Sequence, residues 1–137
     1  MSELFAEFLP SLLEFLAYFG VAAVLTVVFI AIYLKITPHD EIKLIKDNSV
    51  AAAVAFSGTL IGFALPLASV MLHSLSLIDL VLWGIVAMIV QIVVYFLVRI
   101  PMPRVSERIE AGEVAAGIWL GVTSLVAGIL NAASMTV

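Results

Sequence analysis

The sequence predicts an all-α membrane protein of four transmembrane helices, and three observations carry that reading. Apolar residues make up 64% of the 137 positions and charged residues only 12%, against about 45–50% and about 25% in soluble domains. The charges punctuate the chain into four uncharged runs, each near the ~20 residues that a span needs. Those runs are continuous rather than alternating, which selects helices over a membrane barrel. A single transmembrane domain over 1–137 is expected.

The elements follow in order. Residues 1–14 are amphipathic, with Glu3, Glu7 and Glu14 set opposite Leu4, Phe5, Phe8, Leu9 and Leu12. Two readings stand open for them: a helix lying flat on the outer surface with a bend at Pro10, or a continuation of the first span. The first 34 residues hold no Lys or Arg, so no cleavable signal peptide is expected. The first span is placed at 15–34, between Glu14 and Lys35. The second is placed at 50–72, followed by a short turn. The third occupies 80–98, between Asp79 and Arg99, and the fourth 114–135, after the last charge at Glu113.

All six basic residues fall in two loops: Lys35, Lys43 and Lys46 in 35–49, Arg99, Arg104 and Arg108 in 99–113. The positive-inside rule counts such residues, and places both loops in the cytoplasm and both termini outside. Tyr18, Phe19 and Trp83 are then expected near the outer interface, Tyr33, Tyr95 and Trp119 near the inner one.

Sliding the chain by 64 residues aligns 15–70 with 79–134 without a gap, with ten of 56 positions identical. Each half then reads as helix, cytoplasmic loop, helix, which predicts two parallel two-helix repeats. The loops match too. Thr37-Pro38 suits a helix start, and the residues after it suggest a short amphipathic surface helix, with a counterpart around Val105–Ile109. Asn48 and Gly112 follow these segments, the residue types that best accept a left-handed position past a helix end.

The spans hold few polar groups. Gly58 and Gly62, with Gly117, Gly121 and Gly128, form small-residue stripes that let backbones approach, so spans two and four are expected to meet, within one chain or between copies. Pro66 deprives the carbonyl of Gly62 of its donor. Pro66 and Ser69, with Asn131 and Ser134, form similar segments at corresponding depths, the candidate site for a solute or ion; the alternative is a kink plus an interhelical hydrogen bond. Thr26, Ser57, Thr59, Gln91 and Thr123 are expected to bond to backbone or neighbours. His73 and Asp79 flank the outer loop and read as solvated. The acidic loop residues, Asp40, Glu41, Asp47, Glu107, Glu110 and Glu113, read as a solvated surface paired with the basic ones.

The function classes excluded are broad. The chain has no cysteine and only two histidines, and no phosphate loop or nucleophile set appears, so no enzyme, cofactor or metal site is expected. A net charge of −4 with no basic cluster argues against nucleic acid. The expected partners are the lipid bilayer and a second copy of the chain, a dimer being favoured.

The Ala-rich starts after Asn48 and Gly112, the segment Ile61-Gly62-Phe63-Ala64-Leu65-Pro66-Leu67-Ala68-Ser69, and the segment Leu130-Asn131-Ala132-Ala133-Ser134-Met135-Thr136 resemble the YjfL-like family of bacterial inner-membrane proteins, domain of unknown function 350. The resemblance covers nearly the whole chain. It implies a multi-pass fold in the inner membrane and supplies no activity, substrate or site residue. Two functional readings remain: an oligomeric module that passes or binds a small solute or ion, and a non-transporting interaction or envelope-stress accessory protein.

Overall fold

The computed structural model describes residues 1–73 and 76–135 and, among them, consists of helices joined by turns. Thr136, quoted above for the family resemblance, lies outside the described residues, as do two residues of the turn after span two. The order is α1 (Ser2–Ile36), α2 (Glu41–Lys46), α3 (Val50–His73), α4 (Leu77–Val98), α5 (Val105–Glu110) and α6 (Val114–Ser134). Four of these, α1, α3, α4 and α6, are long and apolar enough to cross a membrane.

Helix α1 is continuous through Pro10, so 1–14 extends the first span as the second of the two open readings has it. Its 35 residues give about 52 Å at 1.5 Å per residue, well beyond the ~30 Å of a hydrocarbon core.

The two connecting loops share one end of the bundle, called here the basic end because it gathers every Lys and Arg. Their turns are built alike. Asn48 has φ 68° and Gly112 φ 82°, the left-handed conformation that Asn and Gly tolerate best. In the first turn the Asn48 amide donates to the Ile45 carbonyl and Ser49 to Leu44. In the second, Gly112 donates to Ile109 and Glu113 to Arg108, so both close orphan carbonyls as a Schellman motif does. The start of α2 differs from expectation. Thr37 ends α1, its hydroxyl donating to the Tyr33 carbonyl at 3.0 Å, while Asp40 caps α2 by accepting from the Lys43 amide at 3.2 Å. Aspartate accepts this bond better than threonine, and the Thr37 side chain is already committed.

Helix α3 is the hub, and α6 is its closest neighbour. A methyl group added at Gly58 meets the Gly121 carbonyl, one at Gly117 meets the Ala51 carbonyl, and one at Gly128 meets the Gly62 carbonyl. The seam that the glycine stripes predict is therefore formed within one chain. Gly128 lies against the Gly62 carbonyl, the acceptor that Pro66 leaves without its helical donor. Helix α4 packs on both α3 and α6, and α1 lies outermost, against α4 and the edge of α3.

The α1–α3 contact is aromatic. Phe29 and Phe63 stack with centroids 4.3 Å apart, and Tyr33 meets Phe56 and, edge-on, Tyr95. Tyr33 and Tyr95 are thus fully buried and correct the expectation of an interfacial belt there. Their hydroxyls find partners inside the bundle, as buried tyrosines require. Trp83 and Trp119 are exposed on the outside of the bundle. Toward the far end α1 and α3 separate around an apolar groove of about 500 Å³ bordered by Phe19, Ala23, Ala64 and Ala68.

Gly117→Ala and Gly128→Ala are each expected to destabilise the bundle by about 1–3 kcal/mol, the usual cost of overpacking. Gly20→Ala, where a methyl group meets nothing within 4 Å, is expected to be neutral. Unfolding midpoints of the purified chain in detergent check both; equal effects at all three positions refute the seam.

Candidate functional site

Helical spacing lines up a buried polar column in the basic half of the bundle. Gln91 and Tyr95 stand four residues apart on α4 and so share one face, as do Tyr33 and Thr37 on α1. Gln91 is buried where α3, α4 and α6 meet, and its Nε2 donates to the Ser124 carbonyl at 3.1 Å. That nitrogen also lies beside Gly62, where a side chain would displace it. Gln91 Oε1 and Ser124 Oγ have no hydrogen-bond partner in the structure. Toward the basic end the Tyr33 hydroxyl pairs with Thr59 Oγ1 at 3.5 Å, and the Tyr95 hydroxyl with Ser106 Oγ at 2.6 Å. The latter bond ties α5 to α4.

His39 and Glu41 stand at the foot of this column. Both are buried, at 1% and 0% exposure, although His39 belongs to the connection between α1 and α2 and Glu41 opens α2. His39 Nε2 lies 3.0 Å from Glu41 Oε1, off the direction of a hydrogen bond, and the remaining nitrogen and oxygen of the two side chains are also unpartnered. The Tyr95 ring centroid lies 6.5 Å from that of the imidazole. Fold alone does not demand these groups. The position 64 residues on from Glu41, at the matching start of α5, is Val105, also fully buried. An apolar residue therefore satisfies the same structural niche, and a buried charge there carries a desolvation cost without a packing reason. Two ligand-type side chains do not make a metal site, and among the described residues no group of three His, Asp or Glu is placed to hold one.

Glu41 corrects the expectation that all six acidic loop residues are solvated: α2 packs against α3 and its first residue carries the carboxylate inside. The other side of the basic end fits that expectation, with Arg108 and Glu113 at 3.1 Å and Arg104 and Glu107 at 3.9 Å, all exposed or nearly so. The signal in the sequence that singles out Glu41 is the 64-residue register, which aligns it with Val105.

The four candidate residues at the far end are placed as follows. Pro66 is buried in α3. Ser69 donates to the Ala132 carbonyl of α6 at 3.3 Å, which joins the two segments whose likeness drew attention to them. Asn131 is half-buried and its Nδ2 is unpartnered. Ser134 is exposed and donates to Leu130 of its own helix at 2.7 Å, so it does not join the other three. Thr26 and Thr59 donate to the Ala22 and Ala55 carbonyls, as residues of this type do in spans. His73 Nδ1 lies 2.8 Å from the Ser69 carbonyl on the exposed face.

Comparison with known proteins places this architecture among relatives. The family model described as Domain of Unknown Function (DUF350) matches residues 6–135. The UPF0719 inner membrane protein YjfL of Escherichia coli strain K12 is 46% identical over 128 residues, which cover 93% of this chain and 97% of that protein. The protein of the same name from Escherichia coli O157:H7 matches equally. The UPF0719 transmembrane protein YshE of Bacillus subtilis strain 168 is 28% identical over 112 residues, 77% of this chain and 81% of the relative. No solved structure matches.

A double-substitution cycle measures what the buried pair does. His39→Leu alone strands the Glu41 carboxylate and is expected to cost about 3–5 kcal/mol, the penalty of breaking a buried pair. Adding Glu41→Val is expected to recover most of that loss. Strictly additive costs in detergent unfolding are the result that rules out a coupled pair.

Proposed function

The chain belongs to the Domain of Unknown Function (DUF350) family, and from that footing we propose that it is a non-enzymatic module of the bacterial inner membrane that binds or passes a small ion or polar solute as a homo-oligomer. In this reading the two halves are parallel repeats, the basic end faces the cytoplasm and both termini lie outside.

One observation carries the proposal: the amide of Gln91, buried within a span, with its oxygen and the Ser124 hydroxyl unpartnered. A polar group at that depth is costly unless it is satisfied, and its neighbours Thr59, Tyr95 and Ser106 lead toward the basic end. Asn131 supplies a second unpartnered amide near the far end of the same α3–α6 seam. The seam is closed by glycine contacts within the chain, so assembly falls to other surfaces. Helix α1, the least covered of the four, offers the largest one.

A second reading keeps α1 but drops the flux. Phe5, Phe8, Leu9 and Leu13 are exposed on a helix longer than a bilayer is thick, which favours an interaction protein whose partner covers that helix.

Purified protein in liposomes is expected to dissipate a gradient of protons, monovalent ions or small polar solutes. Gln91→Leu and Asn131→Leu are each expected to slow it by about tenfold, the effect of ~1.4 kcal/mol on a barrier, with folding intact. A well-folded parent that passes nothing across that panel overturns the transport reading in favour of the interaction one.

A further inference from the structure

We propose that His39 and Glu41 form a buried proton-binding site, exchanging a single proton per chain with the aqueous phase at the basic end. This inference does not depend on the protein passing an ion.

Charge counting leads to it. A neutral imidazole beside a carboxylate leaves one uncompensated negative charge at a site with no exposure to water. One added proton makes the pair neutral, either as imidazolium with carboxylate or as imidazole with carboxylic acid. A neutral pair in a low-dielectric site is far less costly than a lone buried charge, and imidazole is the side chain whose charge ordinarily changes near neutral pH. The proton is also the one cation the site can hold, since a metal needs ligands the site lacks.

The groups around the pair come from several elements. Helix α1 brings Tyr33, and α4 brings Tyr95 and, nearer the surface, Arg99. Helix α3 brings the Thr59 hydroxyl, bonded to Tyr33. Asp40, on the pair's own segment, is exposed and caps α2. Arg104, Glu107 and Glu110 stand on the α5 side and border a cavity of about 110 Å³ together with Pro38, Arg99 and Ser106. Ser106 lines that cavity and holds the Tyr95 hydroxyl at 2.6 Å, and the Tyr95 ring centroid lies 6.5 Å from that of the imidazole.

The consequence is a segment, residues 37–41, whose Thr37, His39 and Glu41 side chains stay buried while the proton is bound. Release of the proton to a water or buffer base leaves a net charge in the site and favours the segment's exit to water. The sign follows: the protonated pair is the stabilising one, so its contribution is lost as pH rises.

The full chain holds only two histidines, His39 and His73, so nitrogen-15 histidine labelling reads the site directly in micelles, with His73→Gln as assignment control. The His39 ring signals are expected to change with pH in step with a fall in melting temperature as the buffer turns alkaline. Both changes are expected to vanish in Glu41→Gln and in the double variant His39→Leu, Glu41→Val, whose melting temperature is flat with pH. His39 signals that follow those of exposed His73 in the unmodified chain overturn the proposal even if Glu41→Gln fails to fold. So does a melting temperature that falls with pH equally in the double variant.

Discussion

Close approach of the α3 and α6 backbones is the interaction on which the rest of the structure depends. Inside a bilayer, apolar side chains gain nothing by leaving lipid for protein, so helices associate through fit and polar contact. Here the fit comes from Gly58, Gly62, Gly117, Gly121 and Gly128, each set where any side chain would strike the facing backbone. Proline 66 belongs to the same arrangement. It frees the Gly62 carbonyl, and Gly128 brings a bare backbone against that oxygen, a weak contact of the Cα–H type in place of a lost helical bond. With α3 and α6 fixed, α4 has a groove to lie in, and Gln91 reaches across to Ser124.

The two halves share turn geometry but not chemistry. Their surface helices begin and end at matching positions, and both turns use a left-handed residue in the same place. Yet the first loop buries histidine and glutamate where the second holds Pro103 and Val105. The second half instead supplies Tyr95 and Ser106, which close over the first half's charges. The polar cluster is therefore a product of both halves in contact, and neither contains it alone.

Helix α1 has a different character from the other three. It is anchored by the Phe29–Phe63 stack at the basic half and parts from α3 toward the other end. Its length exceeds the hydrocarbon thickness, so its first turns carry Glu3 and Glu7 beyond the region where charge is expensive. This is the element with fewest internal obligations, the least covered of the four long helices.

How much was legible in the residues follows from what each feature depends on. Span number, the two charged loops, the left-handed turns at Asn48 and Gly112 and the glycine seam rest on local composition and spacing, because hydrophobic length and backbone preference act within a few residues. The seam's location inside one chain was not legible, since a stripe of small residues serves self and neighbour alike. Ser69, which bonds to α6, and Ser134, which bonds to its own helix, were not separable, because a serine hydroxyl satisfied by its own helix looks the same in sequence. Glu41 and His39 were hidden for a related reason. A loop charge is solvated by default, and only the packing of α2 on α3, with Tyr95 and Ser106 arriving from farther along the chain, removes the water. Sequence alone thus determined that this chain crosses a membrane and which faces pack. The tertiary structure decided which polar groups lose their solvent, because burial of a side chain is set by elements distant along the chain.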